Sequence, residues 1–173
     1  MKLLSFLFPY NNDSTAMSAV LLILRLLFGG LMLWHGISKI ENFETLADNF
    51  PNPIGLGSRV SLCLAIFAEV FCSVGVIVGA FFRLALIPLI FTMCVALFVV
   101  HNGQSFAAKE LATIFFVIYV MLFLVGAGRW SFDNIIAVRL YEERTAIATT
   151  IVEEAIAHRQ QDSEHPTDDE PRQ

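Results

Sequence analysis

Polar surface is what this 173-residue chain has little of. Hydrophobic residues make up 56% of it and charged residues 16%, too few charges to clothe a small water-soluble domain. An excess of positive charge is also missing. Residues 1–136 hold seven Lys/Arg and seven Asp/Glu, so no basic stripe exists to follow a phosphate backbone, and nucleic acid is not expected as a partner. The three cysteines, Cys63, Cys72 and Cys94, form no CxxC pair. That argues against paired-thiolate redox chemistry and a zinc site, and leaves them as small buried hydrophobes. The chain has no Walker motif, no GxGxxG before a helix and no Ser/His/Asp pattern on a soluble scaffold. No covalent cofactor site is expected. The period-two alternation of transmembrane β-strands is missing too.

What is there is four long apolar runs, roughly 18–37, 60–81, 84–101 and 110–127. Each is long enough to cross a hydrocarbon core, which takes about 20 residues at the helical rise. The expected fold is all-α: a polytopic membrane protein whose four transmembrane helices form an antiparallel bundle, followed by a cytoplasmic C-terminal helix and a disordered acidic tail. Residues 1–17 read as an interfacial segment ending in Asn11, Asn12, Asp13 and Ser14, whose side chains suit a helix N-cap. Residues 18–136 read as the bundle. A helix beginning near Asp133 continues as an amphipathic stretch over 137–159, and 160–173 is too acidic and too poor in apolar residues to order itself. Residues 137–173 hold four basic and nine acidic residues, the whole of the net charge of −5.

Orientation follows from basic residues near the span ends, which stay preferentially cytoplasmic. Lys2, Arg83, Arg129, Arg139 and Arg144 share one side, against Lys39, Arg59 and Lys109 on the other. Both termini are therefore expected in the cytoplasm. Small residues, including the GxxxG pair Gly75 and Gly79, allow close helix approach in lipid. Pro88 should kink the third span.

Two groups of polar residues stand out. Arg25 and Glu69 lie deep in the first two spans, where an isolated charge costs about 3 kcal/mol. They are expected to pair, either as a clamp fixing helix register or as part of a proton or ligand site. At the outer end His35 and Lys39, one helical turn apart, converge with His101, Lys109 and Glu110. Such a rim serves as ordinary interfacial polarity, or binds a quinone carbonyl, or lets His35, His101 and Glu110 hold a metal.

The string LRLLFGGLMLWHGISKI, carrying Arg25, His35, Gly36 and Lys39, resembles the opening signature of the DoxX family of small bacterial membrane proteins. AEVFCSVGVIVGAFFR with Glu69 and Arg83, His101, KEL at 109–111 and GAGRWSFD at 126–133 continue the resemblance. It covers about residues 18–136 and implies a four-helix bundle with Arg25, His35, Lys39, Glu69, His101, Lys109 and Glu110 in an internal polar site. Family members are associated with quinone-linked, thiol, oxidative-stress or metal-responsive systems. The resemblance does not transfer a substrate, and a catalytic role would need an electron acceptor. Three functions stay open: a subunit or accessory of a membrane redox system that binds a quinone-like ligand and works with a redox partner; a small-solute or metal transporter, which with four helices would need a homo-oligomer; and a membrane anchor or assembly partner for a soluble enzyme.

Overall fold

The structure, a computed structural model, describes residues 14–164. The chain divides into two compact units, Met1–Ala137 and Val138–Gln173. Among the described residues every regular element is helical. Four helices are long and apolar enough to span a membrane: α1 (Thr15–Glu41), α3 (Ser58–Val78), α4 (Phe82–Val100) and α5 (Phe106–Val125). A short α2 (Phe43–Ala47) follows α1, and α6 (Phe132–Glu164) starts in the first unit and forms the described part of the second.

The first span begins three residues earlier than the apolar run and ends four later. Ser14 caps it by accepting from the Met17 amide at 3.3 Å, so the N-cap expected from the polar run before it falls on its last residue. The segment expected to lie at the interface up to residue 17 therefore already enters α1 at Thr15, and its first thirteen residues lie outside the described ones. At the other end of the chain α6 is continuous to Glu164, past the expected start of a disordered tail at residue 160. No proline interrupts it before Pro166, and Gln160 to Glu164 are all compatible with a helix. Residues 165–173 of that tail lie outside the described residues.

Two of the spans are not uniform α-helix. α3 passes through a π-helical turn at Ala68–Cys72, and α4 ends in another at Ala96–Val100. In α3 the wide turn puts adjacent pairs, Ala68 with Glu69 and Cys72 with Ser73, on the buried side. α4 contains Pro88, which has no amide to donate, and the Thr92 hydroxyl donates to the Pro88 carbonyl at 2.9 Å.

The core runs along the bundle through Leu21, Met32, Val76, Phe82, Leu86, Leu89, Phe115, Tyr119 and Leu122. Outside it lies an apolar belt in which Trp34, Phe71 and Leu124 are 68–71% exposed. Leaving one such side chain in water forgoes about 1.5–3 kcal/mol of burial, so a belt of this extent suits a lipid solvent. The cysteines divide: Cys72 is buried, Cys94 half-buried and Cys63 exposed on the belt, so the expectation of three buried thiols fails for Cys63.

Candidate functional site

The bundle has two polar centres at opposite ends, and they do not share residues. At the end formed by the C-terminus of α1, the N-terminus of α3, the C-terminus of α4 and the N-terminus of α5 lies a cavity of about 710 Å³. Its polar lining includes His35 and Lys39 from α1, Glu69 from α3, Thr92 from α4 and His101 at the end of α4. Most of the wall is apolar, with Met32, Ala65, Met93 and Phe115 among its residues.

Lys39 and Glu69 form a direct ion pair in this wall. Glu69 is 4% exposed and Lys39 24%, so the carboxylate is the buried member and the lysine reaches down to it. Gly36 makes this approach possible. A Cβ at Gly36 would stand 2.6 Å from the Val70 Cγ2 and 3.0 Å from the Glu69 Cβ and carbonyl carbon, so α1 presses on the π-turn of α3 where a side chain has no room.

His35, one turn before Lys39, sets its ring edge-on to Phe115 with centroids 6.0 Å apart. Phe115 in turn packs on Phe28 and Tyr119, and the Tyr119 hydroxyl donates to the Phe28 carbonyl at 3.1 Å. His101 Nδ1 lies 2.9 Å from Gln104 Oε1, a contact that fixes its ring at the mouth of the cavity.

The second centre corrects the expected pairing of Arg25 with Glu69. Arg25 is 1% exposed, and its guanidinium donates instead to four backbone carbonyls: Val76 at 3.1 Å, Ile77 at 3.0 Å, Ala127 at 2.6 Å and Trp130 at 3.1 Å. Those of Val76 and Ile77 belong to the last turn of α3, where carbonyls lack helical partners. A planar fork of donors suits this task. The Phe82 ring lies 5.8 Å from the guanidinium carbon.

Asp133 completes the knot. Its carboxylate accepts from the Phe81 and Phe82 amides, both at 2.8 Å, and its own amide donates to the Gly79 carbonyl at 2.9 Å. Burial pushes the Asp133 carboxyl above the usual range, while the two amides and the Arg25 charge pull it back. Gly79 adopts φ +73°, and a Cβ there would meet Ser131 at 2.7 Å and Arg25 at 2.9 Å. Arg25 is thus a clamp, made through backbone groups rather than through a carboxylate.

Of the seven residues expected in one internal site, four line the cavity: His35, Lys39, Glu69 and His101. Arg25 belongs to the other centre. Lys109 is half-buried and Glu110 exposed, and neither lines the cavity. Among the described residues no group of three His, Cys, Asp or Glu side chains could hold a metal ion, so the metal set of His35, His101 and Glu110 is not assembled. Glu110 is exposed, two residues before Ala112 and so on the opposite side of α5 from the buried line through Ala112 and Phe115. Gly36, Phe115 and Asp133 were not singled out as site residues. Asp133 was visible as an acidic residue in the first turn of a helix, where helix polarity favours it.

The family model described as DoxX matches residues 20–102. Over that segment the chain is similar to the DoxX family. The matched segment includes Arg25, His35, Lys39, Glu69 and His101 and stops before Lys109 and Glu110. With the four long apolar helices, that similarity points to a multi-pass membrane protein. A comparison with curated proteins and one with solved structures each find no match.

Proposed function

We propose that this DoxX-like protein is a membrane subunit or accessory of a redox system, and that its bundle cavity is the ligand site. The observation that supports this reading is the grouping of His35, Lys39, Glu69 and His101 on one largely apolar cavity. Its volume of about 710 Å³ lies within the roughly 300–1,000 Å³ of small-molecule sites, which combine apolar walls with a few placed polar groups.

A quinone-like molecule fits such chemistry. Its ring would lie among Met32, Phe115 and the α4 wall, with a carbonyl oxygen toward His35. A donor aimed at that oxygen stabilises the negative charge it gains on reduction. The Lys39–Glu69 pair sets the field beside it, and electrons would come from or go to a separate redox partner. In this reading the protein lies in a bacterial inner membrane with both termini in the cytoplasm, as the distribution of basic residues favours.

A native mass spectrum of the full chain from mild detergent tests the proposal. Retained quinone that is lost in both His35→Ala and His101→Ala supports it, and retention in both variants overturns the site. Measured solute or metal uptake in liposomes would support a transporter instead. The anchor reading has its own support, because Val138–Gln173 forms a separate unit carrying exposed Ile147, Ile151 and Ile156. Removing residues 138–173 abolishes function under that reading and leaves ligand binding unchanged under the first.

A further inference from the structure

Several features of the cavity concern how a ligand reaches it. α3 and α4 pack together through Ala68–Val78 of α3, whereas Ser58–Phe67 packs on α1 and α2 and has no comparable contact with α4. The two helices therefore part above the π-turn. The residues flanking this parting, Leu64 and Phe67 on α3 and Phe91 on α4, line the cavity and are also 47–54% exposed within the apolar belt. They face both ways, toward the cavity and toward the lipid. At the end of the bundle the cavity is bordered by Phe50, Pro51, Pro53 and Ile54 from the segment before α3, an apolar rim that does not favour a hydrated solute.

Charge selects the ligand further. The ammonium of Lys39 is neutralised by Glu69, so an incoming anion would meet a buried carboxylate with no cation left over for it. Bringing an unpaired charge into such a wall costs several kcal/mol. His35 makes no hydrogen bond to another described residue, and its ring is held by Phe115, so its polar edge is available to a neutral partner.

We infer that the cavity takes an uncharged amphiphile from the bilayer through the gap between Leu64, Phe67 and Phe91, its polar head bonding His35 and its apolar tail lying in the gap. This rests on the ligand site proposed above and adds the route and the class of ligand. A membrane-dissolved molecule reaches the site without crossing a headgroup layer, and its tail occupies the gap that the splayed helices leave. Leu64, Phe67 and Phe91 then determine specificity for the tail, and His35 for the head.

The test is photolabelling of the full chain in nanodiscs with a quinone carrying a decyl tail and a diazirine near the tail end, competed by the unlabelled decyl quinone. The expected result is competed label on α3 and α4 around Leu64, Phe67 and Phe91, lost in His35→Ala. Leu64→Trp, at a half-exposed position where folding tolerates the ring, slows the labelling without abolishing it. Competed label confined to residues 101–108, with Leu64→Trp at the wild-type rate, overturns the lateral route and leaves the ligand site standing. Absence of any competed label overturns both.

Discussion

Gly36 and Gly30 lie six residues apart on the same helix and should respond in opposite ways to the same methyl group. At Gly36 a Cβ meets Val70 and the backbone of Glu69, whereas at Gly30 nothing lies within 4 Å. Gly36→Ala is expected to destabilise the bundle by about 1–3 kcal/mol, the usual cost of overpacking, and to weaken ligand binding by lifting Lys39 from Glu69. Gly30→Ala is expected to be neutral or to stabilise by up to about 1 kcal/mol, since alanine is the better helix former. Reversible unfolding in mixed detergent micelles checks both. The ion pair gives a second asymmetry. Lys39→Met strands a carboxylate that is 4% exposed, while Glu69→Gln leaves a lysine that can swing toward water. The first should cost about 3 kcal/mol and the second distinctly less; equal losses in the same unfolding measurement would contradict the assignment of Glu69 as the buried member. At this scale the sequence was readable in part. Ionisable residues in an apolar run announce themselves, which is why His35, Lys39, Glu69 and His101 could be singled out. Their partners depend on helix register, and that is set by glycine contacts. Gly36 rests against Glu69, so Arg25, eleven residues further along, is displaced by about 16 Å at 1.5 Å per residue.

Among the elements, the hairpin from α3 to α4 carries the strain and the end of the bundle relieves it. Gly79 ends α3 in the left-handed region, and Phe81, at φ 46°, holds the same region without the freedom of glycine, a conformation that costs about 1–3 kcal/mol. Asp133 compensates by accepting the Phe81 and Phe82 amides. Asp133→Ala removes both bonds at once, and the expected loss of about 1–3 kcal/mol is to be compared with Asp133→Asn, whose side-chain oxygen keeps one acceptor. Hydrogen exchange at the Phe81 and Phe82 amides reports the same event locally: faster exchange confined to this hairpin in Asp133→Ala is the expected pattern. The spans themselves were legible because length and continuous apolarity specify them. The π-turns were not, because Ala68–Cys72 and Ala96–Val100 are ordinary apolar sequence, and a widened turn is decided by what packs against it.

For the whole molecule, the four spans place the cavity and the Arg25 knot toward opposite faces of the membrane, and the basic residues then decide which face is which. The count of five against three favoured the knot on the cytoplasmic side. The structure sharpens this argument, because Lys39 reaches into the cavity wall toward Glu69 and does not stand at the interface as a free determinant of topology. Arg59 and Lys109 remain on that side. The cavity is therefore expected in the half of the membrane away from the cytoplasm. Single cysteines introduced into a background without Cys63, Cys72 and Cys94 check this in intact cells. Asn102→Cys, in the exposed α4–α5 connection, should react with a membrane-impermeant maleimide added outside, whereas Thr15→Cys, exposed at the start of α1, should react only after permeabilisation. The reverse pattern would turn the bundle over and place the ligand site in the cytoplasmic leaflet, where a soluble cytoplasmic partner would meet it directly. On the redox function proposed above, the expected pattern has electrons exchanged with a cytoplasmic partner travel with a ligand that moves within the bilayer, the kind of ligand that the proposed lateral route between α3 and α4 would admit.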